Sequence, residues 1–355
     1  MTSLRQRVGQ LLFVGLEGPS LSAVERAWLR LVAPSGVILF RRNIENVDQV
    51  RSLLREAQSL TPHSQFHSVD LEGGLVDRLR DLIAPMPSPA AVFASGKSRL
   101  FRRHGELIGA AAHLTGFNQT LAPVLDLALP SSAEVMRTRV VSDTPQEVVA
   151  YASAFLDGLA RANVLGCGKH FPGLGGGTLD SHHAMPAIER SWPELWDNDL
   201  AVFRALAPRL PMVMVAHASY PLNESTEPAS VSSFWIDRVL RRKIGFRGIV
   251  ISDDMEMGGI LTQRSIEDAA IEAIAAGTDV IEICKDPALI LRAYESLLRE
   301  AERSAAFRRR IENATRRIAA LRRKLPAASL NRNISTARIS RIRTAIHKFA
   351  EEIAR

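Results

Sequence analysis

Hydrophobic and polar positions follow two different periods along this chain. Short, nearly continuous apolar runs recur at LLFVGL (11–16), GVILF (36–40), FHSVD (66–70), QTLAPVLDL (119–127), VLGCGKH (164–170), PMVMVAH (211–217), GIVISDD (248–254) and DVIEICK (279–285). Between them lie stretches such as PQEVVAYASAFLDGLARA (145–162) and EDAAIEAIAAG (267–277), with apolar residues at i, i+3, i+4 and i+7. Apolar strands alternating with amphipathic helices predict a parallel sheet covered on both faces. Eight such runs predict a closed (β/α)8 barrel, the TIM-type α/β fold, as one domain over residues 1–324. A basic helical appendage is expected over 325–355, around the break at Pro326.

Composition agrees with a packed domain. The chain has 355 residues, 46% of them hydrophobic, enough for a large core and against disorder. Its two cysteines, Cys167 and Cys284, both sit inside apolar runs, which predicts buried thiols in a reducing compartment and no disulfide framework. Arg5 and Arg7 precede an apolar stretch, but that stretch is short and no small-residue cleavage site follows it. No segment approaches the ~20 apolar residues of a membrane span. A cytoplasmic, soluble protein without a membrane partner is expected, and a monomer.

Charge changes the picture at one end only. Residues 303–355 hold 15 Lys/Arg against 3 Asp/Glu, a net +12, so the remainder carries −5 of the overall +7. A basic tail can meet nucleic acid or an anionic surface. Here its arginines interleave with apolar residues at helical spacing, as in IENATRRIAALRRKL, which reads as a solvated helix face. No nucleic-acid partner is expected.

The apolar runs also end in polar groups of the kind chemistry uses. The third ends in Asp70, the fifth in Lys169 and His170, the sixth in His217, and the seventh in Asp253 and Asp254. In a parallel barrel every strand's C-terminal end opens on one face, where barrel enzymes keep their sites. Any one of these residues alone reads as a cap or a satisfied core group. Four convergent strand ends predict a site.

The run GKHFPGLGGGTLDSHHAMP (168–186) carries the densest chemistry. A metal site would need three or four ligands in suitable geometry, and no HExxH or CxxC spacing is present. A phosphate cradle would need a helix opening directly after the glycines, whereas TLDSHHAMPA continues as loop. Neither a metal nor another cofactor is expected. A glycine-rich loop carrying a general acid/base fits better, because in Asp180-Ser181-His182 a carboxylate stands two residues from an imidazole. With a fixed carboxylate in ISDD, this is the equipment of double-displacement glycoside hydrolysis.

VDLEGGLVDRL, APVLDL, KHFPGLGGGTLDSHHAMP, VMVAHASYP and GFRGIVISDDMEMG, in this order and spacing, resemble the catalytic barrel of glycoside hydrolase family 3. More narrowly, they resemble its single-domain bacterial β-N-acetylglucosaminidases (β-hexosaminidases) of cell-wall recycling. The likeness runs from about residue 8 to about residue 300. It implies a retaining exo-β-N-acetylglucosaminidase acting on muropeptide-type sugars through a covalent glycosyl-enzyme intermediate. By this resemblance Asp253 is the nucleophile and His182 the acid/base, with Asp180 as its partner. Asp70, Arg78, Arg139, Lys169, His170 and His217 would bind the sugar. Arg139 is placed by its spacing to Asp143 and Pro145 in RVVSDTP. The chain departs from the family pattern at three places: Leu174 stands where a histidine is usual, the glycine-rich GLGGG (173–177) is its own variant, and Met136-Arg137 stand where an Ile-Gly pair commonly precedes the sugar-binding arginine. A β-glycoside phosphorylase or a β-glucosidase-type hydrolase on the same barrel is the neighbouring expectation. A catalytically silent barrel binding sugar or nucleic acid is the third.

Overall fold

A computed structural model describes residues 3–178, 185–223, 227–325, 330 and 334–355. Each of the eight apolar runs contains one strand of a parallel sheet. These are β1 Leu12–Gly15, β2 Gly36–Leu39, β3 Phe66–Val69, β4 Gln119–Thr120, β5 Cys167–Phe171, β6 Met212–Val215, β7 Ile249–Asp254 and β8 Val280–Ile283. Neighbours pair in the order β4-β3-β2-β1-β8-β7-β6-β5. Parallel bridges Gln119↔Leu165 and Val124↔Lys169 bring β4 against β5 and close the (β/α)8 barrel. The fourth run is mostly irregular because Pro123 has no N–H to give the ladder. Its carbonyl still accepts from Lys169 N–H at 3.2 Å.

A helix follows every strand: α1 Ala23–Val32, α2 Val47–Ser59, α3 Ser98–Thr115, α4 Pro145–Arg161, α5 Leu200–Leu206, α6 Phe234–Lys243, α7 Ile266–Ala276 and α8 Pro287–Arg303. Their starts follow local chemistry. Ser22 and Glu25 form a capping box at α1, and Pro145 opens α4, where its missing N–H is no loss. The apolar stripe of α4, including Val148, Tyr151, Ala152, Phe155 and Leu159, is buried as its period requires. Residues 4–15, basic then apolar in sequence, form a short helix (Leu4–Gly9) and the first barrel strand.

Two further helices, α9 Ala305–Arg322 and α10 Thr336–Ala354, carry the basic C-terminal region. Part of this charge is paired inside the protein. Arg310 and Arg317 of α9, with Arg241, all bond the fully buried Asp279 carboxylate, at 2.9, 2.9 and 2.5 Å. Helix α10 packs on α3, burying Ile346 and Phe349, and the Phe349 ring stacks on His104 at 5.8 Å. No helix among the described residues is long and apolar enough to cross a membrane.

Candidate active site

A short antiparallel hairpin, Leu71–Gly73 with Val76–Asp77, is inserted directly after β3. Gly73 and Gly74 turn it with φ of +97° and +64°, and a Cβ on Gly73 would meet the Pro87 carbonyl at 2.2 Å. The hairpin lifts Glu72 and Arg78 to the C-terminal end of the barrel, beside Asp70 at the end of β3. Lys169 and His170 arrive on β5, and Asp253 and Asp254 at the end of β7. Arg139 comes from the turn Arg137–Arg139 that follows β4. These residues border one cavity of about 310 Å³.

A chain of ion pairs lines one wall. Lys169 Nζ lies 3.2 Å from Asp70 Oδ1 and 2.6 Å from Glu72 Oε1. Arg139 grips Glu72 with two parallel bonds of 2.9 Å, the bidentate geometry that suits a guanidinium and a carboxylate. Arg78 Nη2 reaches Asp70 Oδ2 at 3.4 Å. Burial works against the Glu72 charge, yet Arg139 and Lys169 pull its carboxyl down to about 2. Burial likewise opposes the Asp70 charge, and Lys169 and Arg78 still hold it below its ordinary value. For Lys169 burial is outweighed by Glu72 and Asp70, which raise it. Ion pairing therefore favours the charged forms of Asp70, Glu72 and Lys169 on this wall despite their burial.

His170 is oriented from behind. Its Nδ1 lies 2.6 Å from Asp126 Oδ2, and its Nε2 lies 3.5 Å from Arg139 Nη2. Asp126 also accepts the Leu174 N–H at 2.7 Å, so one carboxylate fixes both the histidine and the entry to the glycine-rich loop. Leu174 is buried and borders the cavity. Tyr220 Oη donates to the Gly173 carbonyl at 2.9 Å and braces the same entry.

The carboxyls at the end of β7 border the same cavity. Asp253 Oδ1 accepts the Asp254 N–H at 2.9 Å, and Asp254 Oδ1 accepts the Glu256 N–H at 3.1 Å. Burial, with Glu256 and Asp253 nearby, pushes the Asp254 carboxyl up to about 7. Asp254 is thus held as an acid over much of the range in which a nucleophile must be ionised.

Asp70, Arg78, Arg139, Lys169, His170 and Asp253 all border the cavity. His217, expected as a sugar contact, is not among the residues that border the cavity. Its ring is fully buried, with Nδ1 2.7 Å from Ser230 Oγ and Nε2 3.1 Å from the Asp254 carbonyl, so it supports the end of β7 from beneath. Asp180 and His182 lie outside the described residues. Sequence reasoning passed over Glu72, Asp126 and Glu282. Glu72 had a faint signal, two positions from Asp70 in VDLEGG, and Asp126 another, an acid inside an apolar run. No group of three or more His, Cys, Asp or Glu among the described residues is arranged to hold a metal.

Fold and cavity define the class: a (β/α)8-barrel enzyme with its site at the C-terminal ends of the strands. Residues 3–321 match the glycosyl hydrolase family 3 N terminal domain. A beta-hexosaminidase from Idiomarina loihiensis is 33% identical over 301 residues, which is 84% of this chain and 90% of that protein. A glycoside hydrolase family 3 beta-N-acetylglucosaminidase from Paenibacillus sp. superposes with a TM-score of 0.90 at 28% identity, over 99% of this chain and 69% of that one. Native NagZ from Neisseria gonorrhoeae superposes with a TM-score of 0.80 at 28% identity, over 96% and 97% of the two chains. The chain belongs to glycosyl hydrolase family 3 and is a glycoside hydrolase.

Proposed function

We propose that the protein is a retaining exo-β-N-acetylglucosaminidase. Asp253 attacks the anomeric carbon from the floor of the cavity, and the sugar's bond to its leaving oxygen breaks. His182, partnered by Asp180, protonates that oxygen and then takes a proton from the water that releases the sugar. Asp70, Arg78, Arg139, Lys169 and His170 hold the ring hydroxyls so that the anomeric carbon stays over Asp253. His217 holds the strand end that carries the nucleophile. The natural substrates are muropeptide-type glycosides, met in the cytoplasm by a monomer. The buried, unpaired thiols of Cys167 and Cys284 support that compartment.

One observation carries this reading. In a family 3 barrel, the Asp70–Lys169–Glu72–Arg139 network and Asp253 border the same cavity of about 310 Å³. The test compares aryl β-N-acetylglucosaminide with aryl β-glucoside at equal leaving group. A hundredfold preference for the former, with the β-anomer of N-acetylglucosamine as first product by proton NMR, is expected. Comparable rates, or faster glucoside cleavage, would replace the substrate assignment. Sugar phosphate as the main product in phosphate buffer would make the protein a phosphorylase.

A further inference from the structure

One acid on the cavity wall takes no part in the ion pairs. Glu282 lies in β8, is 2% exposed, and borders the cavity with Asp253, Asp254 and Cys284. Its backbone is engaged: the N–H donates to Ser252 Oγ at 3.1 Å and the carbonyl accepts from Met255 N–H at 2.9 Å. Its carboxyl Oε1 is shut off from solvent and has no hydrogen-bond partner among the described residues. Packing gives no reason for an acid here. The run DVIEIC is otherwise apolar over Val280–Cys284, and barrel interiors favour bulky aliphatic side chains at such positions.

The surroundings decide its protonation. Glu282 stands opposite Asp254 on β7 and opposite Phe13 on β1. Burial first, then the Asp70, Asp253 and Asp254 carboxyls, drive it well above its ordinary value, against the pull of Lys169. Two titratable neighbours, Cys167 and Cys284, are buried thiols pushed up by their own burial. A neutral carboxyl has an O–H to donate, whereas a carboxylate can only accept. Glu282 is thus a donor set beside acceptors, with hydrogen-bonding capacity that the protein leaves unmet at the edge of a cavity. Oε1 is closed off even from the cavity, so what fills the cavity meets the carboxyl through Oε2.

We propose that Glu282 is a further substrate-contacting residue, its side-chain carboxyl hydrogen-bonding an oxygen of the sugar bound over Asp253. This rests on the glycosidase reading above, and it adds a specificity-determining contact to it.

The test is steady-state kinetics of wild type, Glu282→Leu and Glu282→Gln on an aryl β-N-acetylglucosaminide, with Tm measured for each. Glu282→Leu is expected to raise KM at least fivefold, with kcat changing less than KM. Its Tm should hold or rise, because replacing an unpartnered buried acid by a well-packed apolar side chain favours the fold. Glu282→Gln keeps the shape and a permanent N–H donor, and should recover most of the lost affinity. A Leu variant with wild-type KM overturns the proposal, and so does a Gln variant that binds no better than Leu. Should the Leu variant not fold, Glu282→Gln against Glu282→Asp carries the comparison. The full-length neutral donor must then give the lower KM, and the reverse order overturns the assignment. A wild-type protein that turns over none of the aryl glycosides removes the glycosidase reading itself and this contact with it. That failure is read on wild type alone, so the two are distinguishable.

Discussion

Lys169 Nζ lies 2.6 Å from Glu72 Oε1, with both side chains almost wholly buried, at 4% and 1% exposure. Glu72 spends its oxygens on Lys169 and Arg139, while Arg139, at 17% exposure, still reaches the cavity. The carboxylate is thus the support on which two cavity-lining cations stand. Removing one partner of a buried ion pair leaves the others unpaired, at a typical cost of roughly 3–5 kcal/mol.

Glu72→Gln should therefore lose both stability and affinity. The pH dependence has a definite sign. With its folded-state value drawn down to about 2, Glu72 contributes stability that is present above its ordinary value of 4.5 and is lost as pH falls toward 2. Urea denaturation should show a larger difference between wild type and Glu72→Gln at pH 7 than at pH 3. Equal differences at both would mean that the carboxylate charge is not what holds Lys169 and Arg139.

Asp126 serves two masters, the His170 ring at 2.6 Å and the Leu174 N–H at 2.7 Å. Asp126→Asn can keep a neutral bond to one of them but loses the charge-assisted pair. The expected result is a drop in kcat/KM of more than tenfold (~1.4 kcal/mol), shared between KM and kcat, because the proposed sugar contact His170 and the entry to the glycine-rich loop both shift. Asp126→Asn kinetics within twofold of wild type would reduce this carboxylate to a bystander.

Arg137 sits at φ +48° and ψ −121°, a region that non-glycine residues rarely occupy. It is the position where the family's resemblance leads one to expect glycine. Strain of this kind costs roughly 1–3 kcal/mol, and glycine would relieve it. Arg137→Gly should raise Tm by a few degrees. An unchanged or lower Tm would show that the Arg137 side chain contributes more than its backbone costs.

The barrel was legible because strands buried on both faces read as uninterrupted apolar runs, and each of the eight runs holds one strand. Polar residues closing the third, fifth and seventh runs border the cavity for the same reason, since parallel strands end on one face. His217 closes the sixth run but is not among the residues bordering the cavity, since a residue's place at a strand end does not say which way its side chain points. Glu72 and Asp126 act by holding other side chains, and such partnerships join residues 97 and 44 positions apart. Periodicity carries no trace of them. Glu282 was hidden differently: one acid in an apolar run is an ordinary event until the cavity beside it is known.

The paired histidines of DSHH separate by their dependence on the leaving group. If His182 protonates the departing oxygen, His182→Ala should damage alkyl glycosides far more than activated aryl glycosides, whose leaving groups need little of the ~10²–10⁴-fold general-acid help. His183→Ala should do much less with either substrate. Equal losses on both substrate types would give His182 a positioning role, and a larger effect at His183 would move the acid/base by one residue.

Asp253 and Asp254 are adjacent acids at one strand end, and their surroundings divide their work. Asp253→Ala should leave less than a tenth of wild-type turnover with the fold intact, since its only side-chain bond among the described residues is to the Asp254 N–H. Asp254 is pushed up to about 7, chiefly by burial and then by Glu256 and Asp253. A carboxyl raised in the folded state opposes folding when it ionises. Its penalty is absent below its ordinary value of 3.8, grows as pH rises from there to about 7, and is constant above. Asp254→Asn cannot ionise and escapes that penalty, so its stability relative to wild type should climb between pH 4 and pH 7 and then level off. The climb should be on the order of 2–4 kcal/mol. Turnover of Asp254→Asn should fall far less than that of Asp253→Ala. Denaturation curves at pH 4.5, 6 and 8, beside kinetics at pH 6, check both halves. A flat stability difference would deny the raised acid, and a turnover loss at Asp254 exceeding that at Asp253 would exchange their roles.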